Sequence, residues 1–358
     1  MKTGILTLPL HCNYGGIMQA YALQAFLQRE GHDVMILDRQ RNKKDENLGS
    51  RLYQYLCKQV MHRNMQHYIH THLKLTAPLR SEEELNRAAS GLEAVVVGSD
   101  QVWRPSMIKG IETNYFLDFT TPTCKRIAYA ASFGVDTWNA SPSLTNQISE
   151  LLSRFQAISV REQEGIRLCD EVFGEGAVQV SDPTLLFDKS FYEKLLPNKE
   201  QAPSNSLFYY LLGNKKAQKA IIRTLAKRLG LNAYTVNAER EVHISKFTFA
   251  HFPTPDKWLE GFSKASLIVT DSFHGVVFSL LFNKPFIVLS NRSGGLSRIT
   301  SLLGRYGLMS RLMEKEELLS ASPEKLLSLS YDIVNHRIAE DRKFSSEFLR
   351  RALSDTSL

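Results

Sequence analysis

Leu267-Ile268-Val269-Thr270-Asp271-Ser272-Phe273-His274-Gly275 runs from an apolar stretch into a polar turn and then into a helix start. The apolar part has the length and β-branched content of a buried strand. In parallel α/β sheets, ligands sit outside the carboxyl ends of the strands. The first turn of the following helix carries unpaired N–H groups and a positive dipole end, which favour an anion. Gly275 is expected to leave room for a ligand against the backbone. His274 is expected to act there as a proton donor or acceptor. The same residues allow a plainer reading, in which Asp271 and Ser272 only cap the helix and His274 is structural.

On both sides of this stretch, strand and helix signals alternate, which argues for an α/β class. Upstream of it come a strand over residues 207–212, a helix over 215–229, a strand over 233–236 and a helix over 255–263. Downstream, a helix over 275–282 is followed by a strand over 285–289. Near the start, a strand over 4–10 leads into the loop His11-Cys12-Asn13-Tyr14-Gly15-Gly16. A helix over 17–29 follows, stopped by Gly31, and then a strand over 33–38. This opening lacks the G-x-G-x-x-G order, so a dinucleotide is not indicated. Residues 94–98 are all apolar up to a glycine, the pattern of a buried parallel strand. They run into Ser99-Asp100-Gln101-Val102-Trp103. Further strands are expected over 126–132, 157–160 and 177–180. Pro197 to Ser206 reads as a polar linker. The organisation is therefore two Rossmann-like domains, over 1–190 and 205–323, with helices over 324–358 packing back on the first.

The chain has 358 residues, 43% hydrophobic and 23% charged, which excludes disorder, collagen and coiled coil. Its net charge of +7 is concentrated. Residues 39–80 hold nine Lys/Arg against Asp45 and Glu46; nine less two is the whole surplus. A basic segment on a neutral body points to one local anionic partner rather than to nucleic acid. The segment also holds His62, His67, His70 and His72, with Leu52, Tyr55, Leu56, Val60 and Met61 at helical spacings. It reads either as a core helix with a solvated basic face, or as a contact for anionic lipid headgroups or a lipid-linked diphosphate. No stretch approaches the roughly 20 apolar residues of a membrane span, and the first residues do not read as a signal peptide. The four cysteines are scattered, with no CxxC, so neither a metal site nor a disulfide framework is expected and a cytoplasmic setting is.

Several short motifs follow one another along the chain. They are Asn13-Tyr14-Gly15 with Gln19 and Gln24, Gly98-Ser99-Asp100-Gln101-Val102-Trp103, and Tyr129-Ala130-Ala131-Ser132-Phe133-Gly134. Ser159-Val160-Arg161-Glu162, Asp182-Pro183-Thr184, Trp258 and Thr270-Asp271-Ser272-Phe273-His274-Gly275 complete the set. In this order and spacing the chain resembles the polysaccharide pyruvyl transferases over about residues 3–310. The resemblance implies a GT-B-like fold, two Rossmann-like domains facing across a cleft. It also implies transfer of the carboxyvinyl group of phosphoenolpyruvate to a sugar, giving a cyclic pyruvate ketal and phosphate. Better-studied members of the family carry Arg-Leu-His where this chain has Ser272-Phe273-His274, a variant associated with bacterial members of the wider family. The histidine carries over; the arginine does not, because Ser272 has no cationic fork.

That chemistry needs cations or helix N-termini for the donor's carboxylate and phosphate, and a general acid and base, but no metal or redox cofactor. His274 is the leading acid/base residue and Asp100 a candidate base. Arg161 matches the family as an anion ligand, against a plainer reading as a surface partner of Glu162 or Glu164. Ser272, Phe273 and Gly275 complete the donor site, and Arg292 or Arg298 is expected to replace the missing arginine. The acceptor falls to Asn13, Tyr14, Gly15, Gln101 and Trp103, the last as a platform for a sugar face. Asp182 is expected to fix the turn with Pro183. The expected acceptor is a hexose, galactose first, on a lipid diphosphate-linked oligosaccharide, handled at the inner membrane face. Two other readings stand beside this one. One is a GT-B glycosyltransferase using a nucleotide sugar, with Glu239 or Glu241 on the ribose. The other is a non-catalytic glycan-binding relative.

Overall fold

The computed structural model describes residues 1–11, 13–41, 63–196, 205–213, 215–236, 241–244, 247–250, 252–290 and 296–354. The chain divides into two compact units. Unit 1 comprises Met1–Gln54, Ile69–Leu186 and Glu340–Leu358, and unit 2 comprises Tyr55–Tyr68 and Phe187–Ala339. Half of the basic stretch, with Lys43, Lys44, Arg51 and Lys58, lies outside the described residues, as do Arg292 and Glu239.

Unit 1 is built on six parallel strands: β1 (Lys2–Leu6), β2 (Asp33–Ile36), β3 (Ala94–Val97), β4 (Lys125–Ala131), β5 (Ala157–Val160) and β6 (Val178–Gln179). Their order is β2-β1-β3-β4-β5-β6. Every residue of β3 and β5 is buried, as strands covered on both faces must be. β1 stops at Leu6, short of the expected residue 10. Pro9 has no N–H to donate to a ladder that is paired on both sides. The helix α1 (Tyr14–Arg29) begins earlier than expected because Asn13 caps it, accepting the Gly16 N–H at 3.2 Å. The helix α2 (Gln163–Phe173) joins β5 to β6. The core of the unit is aromatic, with Trp103 stacked on Phe116 at 5.3 Å and Phe133 stacked on Phe173 at 6.0 Å.

The C-terminal helix Asp332–Leu353 contributes its later turns to this unit. Ser345 Oγ accepts the Ser181 N–H at 2.9 Å, and Arg350 grips both carboxylate oxygens of Glu30 at 2.8 and 3.1 Å. Lys125 Nζ donates to the carbonyls of Leu353 and Ser354, where the helix dipole favours a cation.

Unit 2 has a second parallel sheet of β7 (Ser206–Tyr210), β8 (Asn232–Tyr234), β11 (Leu267–Thr270), β12 (Phe286–Leu289) and β13 (Leu312–Met313), ordered β13-β12-β11-β7-β8. The strands β9 (Glu241–Ile244) and β10 (Phe247–Ala250) form a separate antiparallel pair that the strand–helix alternation did not anticipate. The helix α3 (Lys215–Leu229) runs from β7 to β8. The helices α4 (Pro255–Lys264) and α5 (Phe273–Leu281) flank β11 in sequence. Phe278 of α5 packs edge-on against Trp258 of α4 at 4.9 Å, which anchors the helix that carries His274.

Candidate active site

In unit 2 the chain leaves β7 toward β8 on one side, whereas β11 and β12 lie on the other. The strand order therefore reverses between β7 and β11, where a parallel sheet opens a crevice at its carboxyl edge. The quoted stretch lies at that edge. Thr270 Oγ1 donates to the Tyr210 carbonyl at 2.7 Å and accepts the Ser272 N–H at 3.1 Å, tying the two strand ends together. Ser272 caps α5, its Oγ accepting the Gly275 N–H at 3.4 Å. The helix thus starts at Phe273, and His274 stands in its first turn, buried, with the Phe273 ring edge-on at 5.3 Å.

Two expectations change here. Gly275 does not hold space for a ligand. A Cβ there would lie 2.1 Å from Thr270 Oγ1, so the glycine accommodates the threonine that ties the strands. Asp271 does not cap the helix either. Its carboxylate reaches across to the turn after β7, accepting the Leu212 N–H at 2.6 Å, the Gly213 N–H at 2.9 Å and the Gln218 side-chain amide at 3.1 Å. Arg298 is the third residue of the helix Leu296–Tyr306 and is partly buried.

In unit 1 the reversal falls between β1 and β3. A ring of hydrogen bonds crosses it. Gln19 of α1 donates to Thr7 Oγ1 at 2.9 Å, Thr7 Oγ1 donates to the Ser99 carbonyl at 3.0 Å, and the Ser99 N–H donates to Gln19 Oε1 at 3.0 Å. Gly98, at φ 126°, has room for no side chain, since a Cβ would lie 2.0 Å from the Tyr129 carbonyl oxygen. Asp100 follows at φ 77°, a left-handed conformation uncommon for a residue with a side chain. Strain of this kind collects at functional sites. Asp100 is 5% exposed.

Arg161, at the carboxyl end of β5, is buried as well. It donates to Asp182 Oδ2 at 2.8 Å and reaches Asp100 Oδ1 at 3.5 Å. Buried and paired with these two carboxylates, it is not the surface ion pair of the plainer reading. Burial alone would pull the guanidinium down, but Asp182, Asp100 and Glu162 hold its pKa above the ordinary value, so the charge is kept. Asp182 is fixed in turn by Ser99 Oγ at 3.3 Å and by the N–H and hydroxyl of Thr184 at 3.1 and 2.7 Å. Glu162 accepts from Ser132 Oγ and from the N–H groups of Phe133 and Gly134.

The acceptor residues are dispersed within unit 1. Asn13, Tyr14 and Gly15 form the capped start of α1. Gln101 accepts from Arg104 at 2.6 Å and packs beneath Gly134. Trp103 is fully buried between Phe116 and Phe133, with its indole N–H on the Tyr115 carbonyl, so it is a core residue and not a platform for a sugar. A cavity of about 790 Å³ opens near the start of β5, lined by Phe155, Ile158, Val178, Phe344 and Phe348. None of the expected site residues lines it. Among the described residues no three His, Cys, Asp or Glu side chains stand together as a metal set, and no helix is long and apolar enough to cross a membrane.

Gln19, Thr184 and Asp271 gain roles in these networks that sequence reasoning did not give them. Two signals were available: the family motif around Gln19, and the Asp182-Pro183-Thr184 spacing, which suits an Asx turn.

Two parallel-sheet units, each with a strand-order reversal, define the GT-B-like class of α/β proteins. A Listeria monocytogenes protein provisionally assigned as UDP-N-acetylglucosamine 2-epimerase has this fold, with a TM-score of 0.54 at 12% identity over 99% of this chain and 96% of that one. The UDP-GlcNAc 2-epimerase of Neisseria meningitidis, solved with UDP-GlcNAc, aligns at a TM-score of 0.48 and 13% identity, over 98% of this chain and 100% of that one. No curated protein matches the chain by sequence. A family model for polysaccharide pyruvyl transferase matches residues 13–293, and the chain belongs to that family.

Proposed function

We propose that the protein transfers pyruvate from phosphoenolpyruvate to a hexose, galactose first, of a lipid-linked surface polysaccharide precursor. The observation that carries this is His274, buried in the first turn of α5 at the carboxyl edge of the reversal point, within the family motif. A proton added to the donor's methylene carbon makes it a methyl group and leaves an electrophilic carbon beside it. One sugar hydroxyl adds to that carbon. A second hydroxyl displaces phosphate and closes the ketal, so the two hydroxyl protons end on the methyl group and on phosphate. His274 is the acid/base residue of this reading, and the strained, buried Asp100 is the base toward the acceptor. The positive dipole end of α5 suits one anionic group of the donor, with Arg298 or Arg292 supplying the cation that Ser272 lacks. Arg161 serves as counter-ion to Asp100 and Asp182, a different role from direct contact with the donor. The chemistry calls for no metal or redox cofactor.

The test is phosphate release from phosphoenolpyruvate with a panel of synthetic lipid-linked galactosides, glucosides and mannosides, with the product weighed by mass spectrometry. Donor-dependent gain of a pyruvyl ketal, abolished in His274→Ala with the fold retained, is the expected result. No release with any acceptor would overturn the reading. Charge reversal at Lys43, Lys44, Arg51 and Lys58 tests contact with anionic lipid. Unchanged vesicle binding would remove that part alone.

A further inference from the structure

The carboxylate of Asp271 sits on two successive backbone N–H groups, those of Leu212 and Gly213, just before α3. Such a pair, in a turn after a central strand and ahead of a helix, is where an α/β fold commonly cradles a ligand's phosphate. Here the protein supplies the anion itself. The bonds are short, 2.6 and 2.9 Å, and the Gln218 amide adds a third at 3.1 Å. Gln218 is itself buried. The carboxylate comes from the end of β11, so the link spans the reversal point of unit 2.

The geometry points to Asp271 as a specificity residue: its carboxylate takes the N–H pair that a diphosphate would need, and so bars nucleoside diphosphates from the turn after β7. A second anion brought to this turn would meet a negative charge already in place and find both donors taken. Unlike-for-like exchange is also unfavourable, because an intramolecular carboxylate needs no association entropy to stay bound. This inference does not rest on the transfer chemistry, and either can fail without the other.

The test is calorimetric titration of the full chain with UDP and with inorganic pyrophosphate, for the parent, Asp271→Asn and Asp271→Ser. Asparagine is nearly isosteric and keeps one acceptor for the turn, while serine frees both N–H groups. Thermal unfolding of each protein establishes that it is folded before titration. The parent is expected to give no saturable binding at millimolar ligand, and each folded variant to bind pyrophosphate and UDP at least about tenfold more tightly than the parent. Binding of UDP by the parent as tight as by the variants would overturn the proposal. So would two folded variants with no gain for either probe.

Discussion

Arg161 holds its Nη1 2.8 Å from Asp182 Oδ2, with both side chains withdrawn from solvent. The same guanidinium meets Asp100 only at 3.5 Å. Removing one member of a buried pair strands the other, at about 3–5 kcal/mol. Asp182→Asn should therefore lower unfolding free energy by about that amount in urea at neutral pH, and Asp100→Asn by clearly less. Equal losses in the two variants would contradict the unequal pairing.

Gly275 and Thr270 are coupled by space. A Cβ at Gly275 would stand 2.1 Å from the threonine hydroxyl, which is held by Tyr210 and Ser272. Gly275→Ala should cost about 1–3 kcal/mol by overpacking. Adding Thr270→Ala should restore part of that loss, giving a coupling energy of about 0.5–3 kcal/mol in a double-mutant cycle. Strict additivity would mean that the glycine is there for another reason.

Trp103 is core. Trp103→Ala is expected to cost about 3–5 kcal/mol in thermal or urea unfolding. A variant as stable as the parent but poorer in acceptor affinity would return this residue to a sugar-stacking role.

The contact between Glu30 and Arg350 carries a pH signature. The Arg350 hydrogen bond holds the Glu30 carboxyl below its ordinary value, against the opposing effect of burial. A carboxylate with a depressed folded pKa stabilises the fold above its ordinary value and loses that contribution as pH falls through the folded one. The pair lies at the surface, with the Arg350 side chain 45% and the Glu30 side chain 22% exposed, so Arg350→Gln should cost less than about 1 kcal/mol at pH 7. The gap between parent and variant should close as pH falls below about 4.5, read from urea unfolding at a series of pH values. A gap that persists under acid would assign the effect to the Arg350 guanidinium over the Phe26 ring, 5.7 Å from Cζ to the centroid, instead of to the pair with Glu30.

What was readable in the sequence was local. An apolar run ending in Thr270-Asp271-Ser272 announces a buried strand followed by a capped helix, and both are there, because strand burial and capping depend on neighbours within a few residues. The fold class followed from repetition of that pattern. Side-chain partnerships across long separations were not readable. Asp271 finds Leu212, 59 residues away, and Arg161 finds Asp182 in preference to the adjacent Glu162. Which carboxylate a buried arginine takes is decided by the order of strands in the sheet. Trp103 follows the same rule: the motif that contains it suggested exposure to a ligand, and aromatic packing from Phe116 and Phe133 removed it.

The composition of unit 1 has a consequence for how the protein is made. Its strands occupy the first half of the chain, yet Ser345 and Arg350, which fasten the C-terminal helix to Ser181 and Glu30, emerge after the whole of unit 2 has been synthesised. Domains generally fold as units as they leave the ribosome. Unit 1 is the first to begin that process and the last to finish it, so for the time needed to translate unit 2 its sheet waits without the helix that completes it.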